Sequence, residues 1–220
     1  MILLAIDTCQ GACSAAVMAD GRVLSSRVEP MLRGHQERLA GLVAEVMLES
    51  GLNFSQLSRV GVTVGPGSFT GLRVGLAFAK GLGAALGIPA VGVGVLEALA
   101  ATEPGMVFAV MDAKRSQFYI QAFIDGKPLT APDALDVETA AARLAELSGG
   151  GPVILIGTGA TQLAESAPAA VVVVADHVDP AAVAKLAARK PPIPPRPLYL
   201  RAPDAKLPGG RDLPAKEGVS

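Results

Sequence analysis

Residues 60–93 read VGVTVGPGSFTGLRVGLAFAKGLGAALGIPAVGV, and this stretch predicts the fold of the chain. A β-branched run predicts a strand up to Val64, a glycine-rich turn follows at 65–71, and a long helix leads to a second strand at 90–93. A helix that joins two such strands forms a βαβ unit, which places both strands in parallel in one sheet. The chain is therefore predicted to be an α/β protein.

The helix that follows the turn carries a small residue at every fourth position. These positions share one face of a helix, and each glycine costs roughly 1 kcal/mol of helix stability relative to alanine. A close approach of backbones is expected to compensate, either against the sheet of this chain or against a helix of another chain. Both interpretations stay open, because the side with Leu72, Leu76 and Lys80 is also fairly apolar. The small residues are Gly71, Gly75, Ala79, Gly83 and Gly87.

Composition restricts the classes of function. The chain has 220 residues, of which 50% are hydrophobic, enough for one large domain or two small ones. The 19 basic residues nearly balance the 20 acidic ones, which argues against tight autonomous nucleic-acid binding but allows a local basic patch. No apolar run reaches the roughly 20 residues of a membrane span. We expect a cytoplasmic protein whose Cys9 and Cys13 are reduced, buried thiols.

The pattern of the first half recurs in the second half. Each half begins with an apolar strand that ends in an aspartate, Asp7 or Asp112, and continues with a polar turn, a second strand and an Asp-Gly turn. A Pro-Gly break near residue 104 separates the halves. The sequence predicts two related lobes, at residues 1–103 and 104–206, and residues 207–220 are expected to be disordered.

The glycine-rich turn is the first candidate for a binding site. Its spacing matches neither the dinucleotide fingerprint nor the Walker A loop, which needs Gly-Lys-Ser/Thr. Backbone amides at a helix N-terminus bind anions, yet a tight strand-to-helix turn also requires glycine, and we favour the structural interpretation. Asp7 is likewise favoured as a structural turn former. The candidates for a vestigial nucleotide site are Asp7, Thr8, Gly65, Gly67 and Ser68.

The two histidines do not predict a metal or catalytic site. A metal-binding helix needs a second ligand one turn after the first, but Leu39 follows His35 at that distance. His177 stands alone, and neither Ser68 nor Cys13 has an evident base. We predict no catalytic residue, no metal ligand and no cofactor, and we expect both histidines in surface or capping roles.

Several motifs together resemble the TsaB family, a bacterial component of the machinery that makes threonylcarbamoyladenosine in tRNA. The resemblance extends to about residue 206, and the glycine-rich turn with its following Leu-Arg is its most specific part. It implies two actin-like lobes of the ASKHA and ribonuclease H-like kind, each a mixed sheet flanked by helices. The motifs are Leu4-Ala5-Ile6-Asp7-Thr8, Gly34-His35, Gly65 to Arg73, Met111-Asp112-Ala113, Gly157-Thr158-Gly159 and Tyr199-Leu200-Arg201.

The resemblance also implies a division of labour. The related catalytic subunit, TsaD, carries a metal-binding histidine pair on the helix that corresponds to residues 34–50, and Leu39 replaces the second histidine here. The family therefore implies a non-catalytic partner of TsaD, which pairs through helices 34–50 and 71–87, works with the ATPase TsaE and reaches tRNA only through the complex. A homodimer is expected when TsaD is absent. The interface candidates are His35, Arg38, Leu42, Val46, Leu72, Arg73 and Leu76.

Two other functions remain as alternatives. One is a small ATP-dependent phosphotransferase that uses Asp7, Asp112 and the glycine-rich turn. The other is a metallopeptidase, which would require a divalent metal that the two separate histidines do not predict.

Overall fold

A computed structural model of the chain describes residues 1–201, which form two β-sheets with flanking helices. The first half contributes β1 Ile2–Asp7, β2 Ala12–Ala19, β3 Arg22–Pro30, α1 His35–Ser50, β4 Arg59–Thr63, α2 Phe69–Leu86, β5 Ala90–Val93 and α3 Val95–Ala100. The second half contributes β6 Met106–Asp112, β7 Gln117–Ile124, β8 Lys127–Pro128, β9 Asp133–Asp136, α4 Val137–Ser148, β10 Ile154–Ile156, α5 Ala160–Ala164, β11 Val171–Val173 and α6 Pro180–Arg189.

The two sheets share one topology. The strand order is β3-β2-β1-β4-β5 in the first sheet and β8-β7-β6-β10-β11 in the second, where β9 also pairs with β7. In each sheet the first strand is antiparallel to the second and parallel to the strand on its other side. The predicted architecture of two mixed sheets flanked by helices is confirmed, and the repeated order shows that the sequence repeat reflects two related lobes.

Local sequence signals account for the element boundaries. The Asp-Gly turns after β2 and β7 have positive φ at both residues, as the hairpin signal predicts. Ser68 caps the N-terminus of α2, because its hydroxyl accepts a hydrogen bond from the amide of Gly71. Gly87 caps the C-terminus in the left-handed conformation. The short strands β8 and β9 and helix α5 were not predicted, because each is too brief to show a period.

Helix α6 does not stay with the second lobe. It packs on β1, β2 and β4 of the first sheet, on the face opposite α1 and α2. Gly61 of β4 permits this contact, because a Cβ there would lie 2.7 Å from the Cβ of Ala187 in α6. The structure thus places α6 against the first sheet, and the assignment of residues 104–206 to the second lobe stays a prediction. The boundary at residue 103 remains a prediction, and residues 202–220 lie outside the described chain.

None of the helices within residues 1–201 is both long enough and apolar enough to cross a membrane.

Candidate functional site

The turn after β1 and the glycine-rich turn before α2 interlock. The hydroxyl of Thr8 donates to the carbonyl of Gly71 at 2.7 Å, and the amide of Ser68 donates to the carbonyl of Cys9 at 2.7 Å. A Cβ at Gly67 or Gly71 would overlap the carbonyl oxygen of Cys9 or Thr8, so both glycines are required by close packing. The amide of Ser68, which an anion would need, is already occupied by the protein itself.

Asp7 and Asp112 occupy equivalent ends of β1 and β6 but lie in opposite environments. The carboxyl of Asp7 is fully buried; its Oδ1 accepts from the amide of Cys9 at 3.0 Å and from the hydroxyl of Thr63, and its Oδ2 has no partner in the described chain. Burial raises the pKa of Asp7 despite these hydrogen bonds. Asp112 is exposed, and hydrogen bonds from Lys114 lower its pKa. Asp7 thus serves as a turn former, as favoured above.

A cleft of about 440 Å³ separates the lobes at the ends of β1 and β6. Of the five vestigial nucleotide-site candidates, only Gly67 and Ser68 line it. Asp7 and Thr8 are buried, and Gly65 contacts the C-terminal segment, where a Cβ would lie 3.0 Å from the carbonyl oxygen of Leu198. The structure therefore does not bring the five candidates together in the cleft, and nucleotide binding there remains a prediction. The second lobe adds Lys114 to the lining.

Most of the interface candidates are buried in this structure, and their role in binding a partner stays a prediction. Their side chains belong to the core of the first lobe and cannot contact a partner in this conformation. The reason is geometric: successive residues on a helix are about 100° apart, so the small residues and the leucines that follow them occupy one broad buried arc rather than opposite faces. The buried candidates are His35, Leu42, Val46, Leu72 and Leu76.

The small-residue stripe packs within the chain. A Cβ at Gly75 would lie 2.6 Å from the hydroxyl oxygen of Thr8, and one at Gly83 would lie 2.8 Å from the carbonyl oxygen of Ile88. Of the two interpretations left open by the sequence, intramolecular packing is thus confirmed for these positions.

The outward faces of α1 and α2 carry a different set of small residues. Between the helices lies a groove of about 600 Å³, with Phe69, Ala77 and Phe78 in its lining. The sequence analysis missed these three residues. The four-residue spacing of positions 69, 73 and 77 does place Phe69 and Ala77 on the same side of α2 as Arg73. We call the following set of exposed residues the α1–α2 face: Gln36, Ala40, Gly41, Ala44 and Leu48 of α1 and Phe69, Thr70, Arg73, Ala77, Lys80, Gly81, Ala84 and Ala85 of α2.

The two arginine candidates differ in their surroundings. Arg38 is half-buried and bonds Glu29 of β3 and Glu45 of its own helix, so it fastens α1 to the edge of the first sheet. Arg73 is exposed on the α1–α2 face, and its guanidinium lies 3.7 Å from the ring centroid of Phe69. Arg73 is therefore the one of the seven predicted residues that lines the groove.

Neither histidine belongs to a metal cluster in the described part of the chain, where no three His, Cys, Asp or Glu side chains converge. His35 is 7% exposed and makes no capping bond, so its expected surface or capping role is wrong. Its Nε2 has no hydrogen-bond partner within residues 1–201. His177 is half-buried, and its Nδ1 lies 2.6 Å from a carboxylate oxygen of Asp176, which agrees with a surface role.

Two lobes of identical strand order around a cleft define the actin-like, ASKHA class of protein. A ROK hexokinase from Thermus thermophilus shares this fold, with a TM-score of 0.52 and 16% identity over 86% of this chain and 98% of the hexokinase. The family to which the chain belongs is more specific than this fold class. A family model described as TsaD, tRNA N6-adenosine threonylcarbamoyltransferase, matches residues 23–189, so the chain belongs to that family.

Individual relatives agree with the resemblance to TsaB. An uncharacterised protein of Mycobacterium tuberculosis H37Rv is 35% identical over 93% of both chains. The Escherichia coli K12 tRNA threonylcarbamoyladenosine biosynthesis protein TsaB is 34% identical over 54% of this chain and 53% of its own length. A crystal structure of a Pseudomonas aeruginosa protein with similarity to peptidase YeaZ has a TM-score of 0.76 and 28% identity over 91% of this chain and 99% of that one. Similarity to TsaB and YeaZ proteins is thus confirmed.

Proposed function

We propose that this chain is a non-catalytic scaffolding subunit of the cytoplasmic complex that transfers a threonylcarbamoyl group to N6 of adenosine 37 in tRNAs that read codons starting with A. It docks a TsaD-type catalytic subunit on the α1–α2 face, acts together with a TsaE-type ATPase and meets tRNA only through the complex. A second copy of the chain occupies the same face when the catalytic subunit is absent.

The observation that carries this proposal is the chemistry of the α1–α2 face. Ala40 and Ala44 of α1 and Ala77 and Ala84 of α2 are exposed, so another helix can approach the backbone closely at these positions. Large apolar side chains border them: Leu48 is 83% exposed and Phe69 is 39% exposed. An apolar surface with a central groove is typical of a protein-binding site.

The interlocked turns support a role without catalysis. A phosphotransferase of this fold needs free amides and an accessible carboxylate at the end of its first strand to hold phosphate and metal. In this chain the amide of Ser68 bonds Cys9, and Asp7 is buried with a raised pKa. The phosphotransferase alternative therefore requires a rearrangement of the loop, although the cleft of about 440 Å³ keeps it open to test.

Reconstitution with a matched pair of variants tests the proposal. Ala77→Glu places a charge on the α1–α2 face, whereas Ala142→Glu places the same charge on exposed α4 of the second lobe. We expect Ala77→Glu to weaken binding to the catalytic subunit by about tenfold or more, because a carboxylate loses its hydration in an apolar interface. Threonylcarbamoylation of tRNA by the complex falls in parallel, and Ala142→Glu changes neither quantity.

The outcomes separate the candidate functions. If both variants bind equally well, the docking site lies elsewhere; if tRNA modification proceeds at full rate without this chain, the scaffolding role is refuted. Saturable ATP hydrolysis by the purified chain, abolished by Asp7→Ala, favours the phosphotransferase. Leu72→Glu is unsuitable as an interface probe, because Leu72 is only 1% exposed and the change would disrupt the core.

A further inference from the structure

The segment after α6, residues 190–201, returns across the first lobe, and we call it the C-terminal strap. It contains Pro191, Pro192, Pro194, Pro195 and Pro197. Proline has no amide donor and a restricted φ, so the strap forms neither a helix nor a sheet ladder and is stiff between its contacts. A stiff segment held at few places transmits a displacement from one contact to the next.

Two groups of contacts fasten the strap to the first sheet. The guanidinium of Arg59 donates to the carbonyls of Ala187 and Lys190 at 2.6 and 2.7 Å, where the strap leaves α6. Farther along, the amide of Leu198 donates to the carbonyl of Val64 at 2.8 Å, directly before the glycine-rich turn. These contacts bring the end of the strap to the first turn of α2.

The strap then contacts two residues of the groove wall. The ring of Tyr199 packs on Phe69 with 5.3 Å between centroids, and Nε of Arg73 donates to the hydroxyl oxygen of Tyr199 at 3.4 Å. Phe69 and Arg73 both line the groove of the α1–α2 face. Tyr199 is 44% exposed, and its two partners line the groove, so a helix that enters the groove would contact Phe69 and Arg73 of this stack.

The next contact of the strap lies on the second lobe. A guanidinium nitrogen of Arg201 donates to the carbonyl of Ala113 at 2.5 Å. Ala113 belongs to the turn between β6 and β7, which lines the interlobe cleft. Only Leu200 separates Tyr199 from Arg201, so the two residues are at most about 7 Å of extended chain apart. The groove and the second lobe are therefore joined by one short covalent link.

We propose that the C-terminal strap is a latch that couples occupancy of the groove to closure of the interlobe cleft. This rests on the proposed function, because a helix of the docked catalytic subunit is the input. Contact of this helix with Phe69 and Arg73 strengthens the contacts of Arg73 with Phe69 and Tyr199, which holds Arg201 on Ala113. Linkage requires the reverse effect as well: loss of the Arg201 contact weakens docking by the same factor.

Hydrogen exchange of the purified chain tests the intramolecular half of the latch. The reporters are the amide of Leu198 and those of Ala113 and Gln117, which bond across the β6–β7 turn. Tyr199→Ala removes the ring from the stack, whereas Tyr199→Phe retains it and serves as the matched control. We expect Tyr199→Ala to accelerate exchange at both places by about fivefold or more, and Tyr199→Phe, which loses only the long hydrogen bond from Arg73, to accelerate it by less than about twofold. Unchanged exchange at residues 113–117 in Tyr199→Ala overturns the latch.

A second arm adds the TsaD-type catalytic subunit. We expect it to slow exchange at residues 113–117 of the native chain, to have no such effect on Arg201→Gln, and to bind Arg201→Gln about fivefold more weakly. If the subunit binds but exchange in the turn stays the same, the latch is refuted and the proposed function stands. If the subunit does not bind the native chain at all, the proposed function is refuted. The latch is then refuted as well, because nothing would occupy the groove.

Discussion

Substitution of two glycines in α2 tests whether the small-residue stripe packs within the chain. A Cβ at Gly75 would lie 2.6 Å from the hydroxyl oxygen of Thr8 and 3.5 Å from Cγ2 of Val62, while a Cβ at Gly81 meets nothing within 4 Å. The two positions share one helix, so the gain in helix propensity from alanine, roughly 1 kcal/mol, applies to both. The difference between the free energies of unfolding of Gly75→Ala and Gly81→Ala therefore isolates the cost of the close contact.

The contact at Gly75 has a calculable cost. The new methyl displaces the hydroxyl of Thr8, which donates to the buried carbonyl of Gly71, and an unpaired buried group costs about 1–3 kcal/mol. Overpacking adds about 1–3 kcal/mol, against which the helix propensity offsets roughly 1 kcal/mol. We expect Gly75→Ala to lower the free energy of unfolding by about 1–5 kcal/mol. Gly81→Ala should raise it by about 0.5–1 kcal/mol.

Urea denaturation followed by circular dichroism measures both free energies, with the slope of the transition as the check that the unfolded state is the same. If Gly75→Ala were as stable as Gly81→Ala, α2 would not approach Thr8 closely. The stripe would then be available to another chain, and the assignment of the buried arc would be wrong.

Two further predictions concern buried ionisable groups. Burial raises the pKa of Asp7 above its ordinary value, so the native state binds this proton more tightly than the unfolded state does. The stability of the native chain is therefore highest below the pKa of the unfolded form and falls as the pH rises through the pKa of the folded form. Asp7→Asn cannot ionise and should therefore gain stability relative to the native chain between pH 4 and pH 8 in urea denaturation; a loss over that range would contradict the burial of an unpaired carboxylate. Burial also raises the pKa of both thiols, that of Cys13 to about 11, so iodoacetamide at pH 8 should leave the folded chain unmodified and alkylate both cysteines in urea, as counted by mass spectrometry. Rapid alkylation of the folded chain would show that the thiols are accessible.

Much of the fold could be predicted because its signals are local. Strand and helix periods and the Asp-Gly turns depend on nearby residues, and the structure confirms them. The recurrence of one pattern also predicted two lobes, since similar local sequences form similar sheets. The elements that escaped prediction, β8, β9 and α5, are two to five residues long.

The candidate site was less predictable, because its geometry depends on distant parts of the chain. The sequence placed Leu72 and Leu76 on the partner-binding side of α2, but the sheet beneath the helix buries the arc that contains them. It gave no sign that Phe69 would stack with Tyr199, which lies 130 residues later in the chain.

By itself the sequence determined the secondary elements, the glycine-rich turn, the repeat and the resemblance to the TsaB family. Each of these depends on short stretches of neighbouring residues, and the repeat is one such pattern that occurs twice. Only the tertiary structure decided which side of α2 faces the sheet, that α6 returns to the first lobe, and that the strap spans from the groove to the second lobe. The physical reason is that burial is a property of the assembled core: a helix with two apolar sides fits either way until the elements around it are in place.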